Sequence, residues 1–261
     1  MTEQALVLFS KDSDGIATLT LNRPEKYNAF TKDMIVAWTR LLAECEDDPS
    51  VKVIVLTGAG KGFCSGGDIG AQRERAKNDA LERKDFLFRY VHTIARTMQR
   101  LDKPVIAAIN GAARGAGLDM ALMCDLRMMA QSATLAETYI NVGLIAGDGG
   151  TYYLPRLIGV ARALELFWTG RIVDAAEAER IGLVTRVVAD DQLLPVTHEL
   201  ARTIAAQPFE AVRAYKRAVY QGLTMSLDAH LDMVSSHTSI LRDTPEHRQR
   251  VEAFLQRRRK S

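Results

Sequence analysis

Cysteine is scarce: Cys45, Cys64 and Cys124 are the three in 261 residues, far apart and without a Cys-x-x-Cys pair. They cannot staple a disulfide scaffold and read as reduced core or loop thiols. His92, His198, His230, His237 and His247 show neither His-x-x-x-His nor His-Glu-x-x-His spacing. No metal site is expected, and a zinc hydrolase has no support. Charge of one sign is also lacking, the formal net charge being +2. Without a bulk field to hold nucleic acid or anionic lipid, a dedicated electrostatic binder is not expected. Apolar stretches such as Val53–Leu56 and Val105–Ile109 fall far short of the roughly 20 residues that span a bilayer. The opening Met1-Thr2-Glu3-Gln4 lacks the basic start and apolar stretch of a secretory signal, so a cytoplasmic protein is expected.

What is present is a 47% apolar, 25% charged chain, enough for one large domain, or a domain plus an extension. Alternating Ala5–Phe9 and Ile16–Leu21 flank the turn cluster Asp12-Ser13-Asp14-Gly15 and predict a β-hairpin. After Thr31, a predicted N-cap, Met34, Ile35, Trp38, Leu41, Leu42 and Cys45 recur at helical period, and Asp48-Pro49 ends the run. Val51–Thr57 is nearly continuous and β-branched, the pattern of a strand covered on both faces in a parallel sheet. A charged helical stretch around Arg73–Lys84 follows, then an amphipathic helix from Phe86 to Leu101 and a strand at Pro104–Ile109. Further helices are read from near Gly115 to Cys124, over Tyr152–Leu166, and after the capping sequence Asp174-Ala175-Ala176-Glu177, which Gly182 stops. Beyond Asp190 only helices are predicted: 193–206, 210–222, 226–241 and 245–259. The division is therefore a core over 1–190 and a helical extension over 191–261 that covers the core or a neighbouring subunit.

Three glycine-rich stretches punctuate the core, and familiar motifs fail to fit them. Gly58-Ala59-Gly60-Lys61-Gly62 has Gly62 where a nucleotide-binding loop needs Ser or Thr. Gly115-Ala116-Gly117 starts like a dinucleotide fingerprint, but Met120 takes the place of the third glycine. Gly62-Phe63-Cys64-Ser65-Gly66 is not a Gly-x-Ser-x-Gly elbow. The first two stretches each follow a strand, and their N–H groups could converge on one oxygen, the layout of an oxyanion hole. Taken singly, each reads first as a tight strand-to-helix connection.

Asn22-Arg23-Pro24-Glu25-Lys26-Tyr27-Asn28-Ala29-Phe30, then Gly62-Phe63-Cys64-Ser65-Gly66-Gly67-Asp68-Ile69, then Ile109-Asn110-Gly111 through Gly115-Ala116-Gly117-Leu118-Asp119 to Cys124-Asp125 resemble the enoyl-CoA hydratase/isomerase family, the crotonases. Gly149-Gly150-Thr151, Leu154–Gly159 and Gly182-Leu183-Val184 extend the likeness over nearly the whole chain. The resemblance implies an α/β fold, a ClpP-like spiral of ββα units with a C-terminal helical trimerisation region, assembled as a homotrimer or a dimer of trimers. It implies an acyl-CoA thioester substrate, no cofactor apart from coenzyme A as part of the substrate, and an oxyanion hole made by the backbone N–H groups of Ser65 and Ala116. It also implies a CoA path lined by Lys26, Ala29, Ser65, Gly66, Gly67, Asp68, Ile69, Gly115 and Ala116.

Hydratases of this family use two glutamates, and here the sequence departs from them. Asp119 stands at the first position and Tyr139 at the second; a phenol, with a reference pKa of about 10, is a poor base near neutrality. Glu137 lies two residues earlier, and Asp148 sits in Gly147-Asp148-Gly149-Gly150, a loop from which related isomerases project an aspartate, offset here by one residue. The expected acid/base pair is Asp119 with Asp148, Glu137 in reserve and Tyr139 orienting. Each also has a structural reading: helix capping for Asp148, a favourable helix-end charge for Asp119, and a buried structural role for Glu137. Arg114 is weighed equally as salt-bridge former and ligand contact, and the Arg257–Lys260 run as a solvated end. The expected activity is that of an enoyl-CoA hydratase or isomerase. The alternatives are a CoA-ester hydrolase, a carbon–carbon bond-cleaving enzyme, or a non-catalytic scaffold for CoA esters or RNA.

Overall fold

The structure is a computed structural model that describes residues 5–258. The opening tetrapeptide and the end of the terminal basic run lie outside the described residues. The hairpin forms β1 (Val7–Lys11) and β2 (Ile16–Leu21), its turn closed by Asp12 Oδ1, which accepts from the N–H groups of Asp14 and Ile16. α1 (Lys32–Asp47) starts on the side chain of Thr31 as predicted. Next come β3 (Val53–Gly58), β4 (Gly62–Cys64), α2 (Ile69–Arg75), α3 (Ala80–Phe86) and, after a π turn at Leu87–Val91, α4 (His92–Arg100). β5 (Val105–Ile109), β6 (Ala112–Arg114) and α5 (Ala116–Leu122) repeat the pattern. β7 (Leu126–Ala130) and β8 (Thr134–Ala136) lead through a single-turn 3₁₀ helix at Thr138–Val142 to α6 (Gly150–Ile158) and α7 (Val160–Thr169). β9 (Val173–Asp174), α8 (Ala175–Arg180) and β10 (Arg186–Val188) complete the core, followed by α9 (Leu193–Ala205), α10 (Phe209–Gly222), α11 (Leu227–Arg242) and α12 (Pro245–Arg258).

Two sheets organise these elements. The larger has the order β1-β2-β3-β5-β7-β10, parallel after the hairpin, and the smaller has the order β4-β6-β8-β9. β3 with β4, β5 with β6 and β7 with β8 each give one strand to each sheet, so the chain climbs as a spiral of ββα units. β3 and β5 are buried at every residue, as their unbroken apolar runs require. α9 packs across β2, β3, β5 and β7, with Leu193, Thr197 and Ala201 buried in the interface.

The structure corrects the local reading in three places. β4, β6 and β8 lie inside what the sequence suggested were loops or left unassigned; three-residue strands carry no alternation and exist only through pairing with partners about 20 to 50 positions away. The helix expected over Tyr152–Leu166 breaks at Gly159, whose φ of 83° is left-handed, giving α6 and α7. The Phe86–Leu101 helix contains the π turn.

One buried polar residue ties the spiral together. Asn28, fully buried at φ 57°, donates through Nδ2 to the carbonyls of Ala59, Gly62 and Phe63, and its Oδ1 accepts the Arg23 N–H. Asn28→Ala removes these bonds and places alanine in a left-handed conformation. A loss of about 2–4 kcal/mol is expected, read by urea unfolding; a loss below about 0.5 kcal/mol would contradict this role.

Candidate active site

The two glycine loops meet where β4 and β6 end. Gly117, the second residue of α5, lies so close to β4 that an added Cβ would sit 2.0 Å from the Cys64 carbonyl oxygen. A Cβ on Gly66, at φ 91°, would fall 3.5 Å from the Ala116 nitrogen. The first loop therefore runs against the start of α5.

The N–H groups at this junction divide sharply. Ser65 N–H donates to the Tyr27 carbonyl at 2.9 Å, and Ser65 Oγ donates to the Lys26 carbonyl. The Ser65 amide expected to hold a substrate oxygen is thus already engaged by the protein, because the left-handed turn at Tyr27-Asn28 brings that carbonyl over it. Phe30 and Gly67 form a parallel bridge in which Phe30 N–H bonds the Gly66 carbonyl and Asp68 N–H bonds the Phe30 carbonyl. That pattern turns the Gly67 N–H away from Phe30. Neither Gly67 nor Ala116 has a backbone N–H bond to another described residue. The free N–H of the first loop is therefore that of Gly67 and not the expected Ser65.

Asp68 is occupied as well. Its carboxylate caps α2 through the Ala71 N–H at 3.1 Å and pairs with Arg23 at 3.1 Å, which together hold it below the usual carboxylate range. Arg23 also donates to the Ala29 carbonyl, so this pair fixes the loop. Lys26 and Ile69 are exposed, Ala29 is buried, and Gly115, at φ 47°, donates to the Ala136 carbonyl. Arg114 spends its guanidinium on hydrogen bonds to Thr134 and the Ala113 carbonyl, in place of the expected salt bridge.

Asp119, Glu137, Tyr139 and Asp148 come together beside α5. Asp119 lies on the third turn-forming residue after Ala116, Glu137 and Tyr139 flank the start of the 3₁₀ helix, and Asp148 precedes α6. Tyr139 Oη is 2.8 Å from Asp119 Oδ2 and 3.1 Å from Asp148 Oδ2. A phenol has one proton, so it can bond both carboxyls only if it donates to one and accepts from the other in its acid form.

Burial sets the energetics of this cluster. Asp119 is 0% exposed and its carboxyl is pushed up to about 7 by desolvation, with the Tyr139 hydrogen bond opposing the rise and the neighbouring Asp148 adding to it. Glu137, 1% exposed with no N–H or hydroxyl donor to either oxygen, is pushed up to about 10 by burial and by the neighbouring Asp119. Both effects favour its neutral form. Burial also raises Asp148 and drives the Tyr139 phenol far above its usual range. Space for Asp119 depends on Gly150, where a Cβ would sit 2.1 Å from Asp119 Oδ1.

Sequence reasoning missed His92. Its Nε2 lies 2.8 Å from the Gly147 carbonyl oxygen, on the loop that carries Asp148. Metal-type spacing was the only histidine signal available, and a contact across 55 positions leaves none. Among the described residues no cluster of His, Cys, Asp and Glu is arranged to hold a metal ion, and no helix is long and apolar enough to cross a membrane.

The family model for enoyl-CoA hydratase/isomerase matches residues 11–261. The chain belongs to that family. It is 35% identical to 1,2-epoxyphenylacetyl-CoA isomerase of Escherichia coli K12 over 96% of both chains, and 34% identical to crotonyl-CoA hydratase of Syntrophomonas wolfei over 94% of this chain and 93% of the relative. A solved enoyl-CoA hydratase of Mycobacterium smegmatis superposes with a TM-score of 0.91 at 33% identity, covering 97% of each chain. The crotonase fold is thereby established, and with it an enzyme of the hydratase/isomerase type that processes acyl-CoA thioesters.

Proposed function

We propose that this enzyme shifts the double bond of an enoyl-CoA, with the Gly67 and Ala116 N–H groups holding the thioester oxygen and Asp119 and Asp148 exchanging the proton. The observation that carries the reading is the Tyr139 hydroxyl placed within hydrogen-bond distance of both aspartates. In this scheme an ionised aspartate removes a proton from one carbon of the acyl chain, the electrons pass into a dienolate whose charge rests on the thioester oxygen, and the aspartic acid so formed returns a proton at the carbon two bonds away. No atom is gained or lost, so neither water nor a redox or metal group is called for. Fixed amide donors favour the dienolate because its oxygen is more negative than the substrate's. Hydration needs two carboxylates with free lone pairs on one water; here the phenol takes the place between them.

Hydration remains the second reading, supported by the likeness to crotonyl-CoA hydratase. CoA would enter past Lys26 and Ala29 along Ser65–Ile69 and Gly115-Ala116. The assembly proposed is a homotrimer or dimer of trimers in the cytoplasm. Exposed Leu227, Leu231, Ile240, Phe254 and Leu255 on α11 and α12 support a covered face, and the three free buried cysteines fit a reducing compartment.

Mass detection on a panel of 2- and 3-enoyl-CoA thioesters tests the reaction. Isomerisation leaves the mass unchanged while moving the double bond, hydration adds one water, and hydrolysis or carbon–carbon cleavage releases smaller products; either of the last two outcomes overturns the proposal. Tyr139→Phe keeps the ring but breaks the proton path, and a fall in kcat of about 10²–10⁴-fold is expected. Unchanged kcat in this variant would remove the relay.

A further inference from the structure

The loop that carries Asp148 is weakly held by its own backbone. From Ile145 to Asp148 it makes no backbone–backbone hydrogen bond to another described residue. Two side chains anchor it: the Tyr139 phenol on Asp148, and the His92 ring on Gly147. His92 is the first residue of α4, directly after the π turn at Leu87–Val91. A π turn inserts an extra residue and rotates the helix that follows, and such insertions occur often at functional sites. Here the residue that follows it reaches across 55 positions to a carbonyl oxygen 2.8 Å away. A carbonyl only accepts, so Nε2 carries the proton.

We propose that His92 is a positioning residue of the proton-transfer site, its ring holding the Gly147 carbonyl so that the next residue's carboxyl meets Tyr139. This rests on the reading of Asp148 as a proton carrier. The Asp148 carboxyl is the titratable group beside the ring; burial raises it, and the Tyr139 hydrogen bond and the nearness of His92 act to lower it. The other charges nearby are committed elsewhere. On α4, Arg96 folds back onto the ring and carbonyl of Phe88; from α1, Lys32 lies over the Tyr90 ring. Tyr139 bonds the Asp148 and Asp119 carboxyls, and Asp119 and Asp148 are among the groups that raise Glu137.

A graded series separates positioning from packing. His92→Gln keeps an N–H donor near the same reach, His92→Asn carries it too short, and His92→Phe keeps the ring without a donor. In His92→Phe and His92→Asn, kcat is expected to fall by on the order of 10-fold or more, since small misplacements of reacting groups are costly, with KM nearly unchanged; His92→Gln is expected to recover most of the rate. In the substrate-free protein, the carboxylic-acid stretch lost in Asp148→Asn identifies the Asp148 band by infrared difference titration. That band should titrate at higher pH in His92→Phe than in wild type. Wild-type kcat and an unmoved band in His92→Phe would overturn the proposal, as would equal losses in the Gln and Phe variants. If the band moves but Asp148→Asn retains full turnover, the proton-carrier assignment of Asp148 fails while the hold of His92 on the loop stands.

Discussion

Asp119→Asn is expected to lower kcat by about 10²–10⁴-fold with little change in KM, the loss typical of removing a positioned acid/base group. The substitution is nearly isosteric, so the hydrogen bond from Tyr139 can persist while the titrating proton disappears. Wild-type activity should rise with pH through about 7, where the buried Asp119 carboxyl ionises and can act as base, and this limb should be absent from the residual activity of the variant. Stability moves the other way. The folded carboxyl is raised from 3.8 to about 7, so the unfolded chain binds fewer protons over that interval. The contribution of protonated Asp119 is complete below the unfolded value and is lost as pH rises through the folded one. Asp119→Asn should therefore gain stability relative to wild type between pH 4 and 7 and keep that gain above it, read by denaturant midpoints at several pH values. Wild-type turnover in the variant, or a stability difference independent of pH, would count against Asp119 as the buried base.

Gly117→Ala should be nearly as damaging although it adds a single methyl group. In an ordinary helix the change is favourable by about 1 kcal/mol. At this position the methyl carbon would stand 2.0 Å from the Cys64 carbonyl oxygen and 2.9 Å from the Cys64 Cβ, both on the buried strand β4, and neither can turn aside as a flexible side chain would. The start of α5 must move, carrying the Ala116 N–H away from Gly67. Misplacing one donor of such a pair costs on the order of 10²–10³ in kcat. Gly182→Ala is the control: Gly182 is left-handed, at φ 77°, but a Cβ there would meet nothing within 4 Å. It should lose about 1–2 kcal/mol of stability and keep its turnover. Equal turnover in the two variants would show that close approach at Gly117 does not govern the site.

These effects show how unevenly the site was written in the chain. Asp119, Glu137, Tyr139 and Asp148 were all legible as candidates, and the structure brings them together. Their division of labour was not, because Tyr139 became informative only when its hydroxyl was seen between two carboxyls. Glu137, read as a reserve catalyst, is buried, and burial together with Asp119 favours its neutral form. Ser65 was the misplaced assignment. Which N–H in a glycine loop is free depends on which carbonyls cross it, and the Tyr27 carbonyl that takes this one arrives from a turn nearly 40 residues away.

The amino-acid order by itself determined the buried strands β3 and β5, the capped helix α1 and the three motifs that mark the family. These rest on side-chain periodicity, capping and local backbone preference, all of which act over a few neighbouring residues. Tertiary structure alone decided the short strands β4, β6 and β8, the choice of Gly67 over Ser65 as free donor, and the hold of His92 on the loop that carries Asp148. Each is a hydrogen-bond choice between segments distant in the chain, and burial fixes the partner only after the spiral has closed.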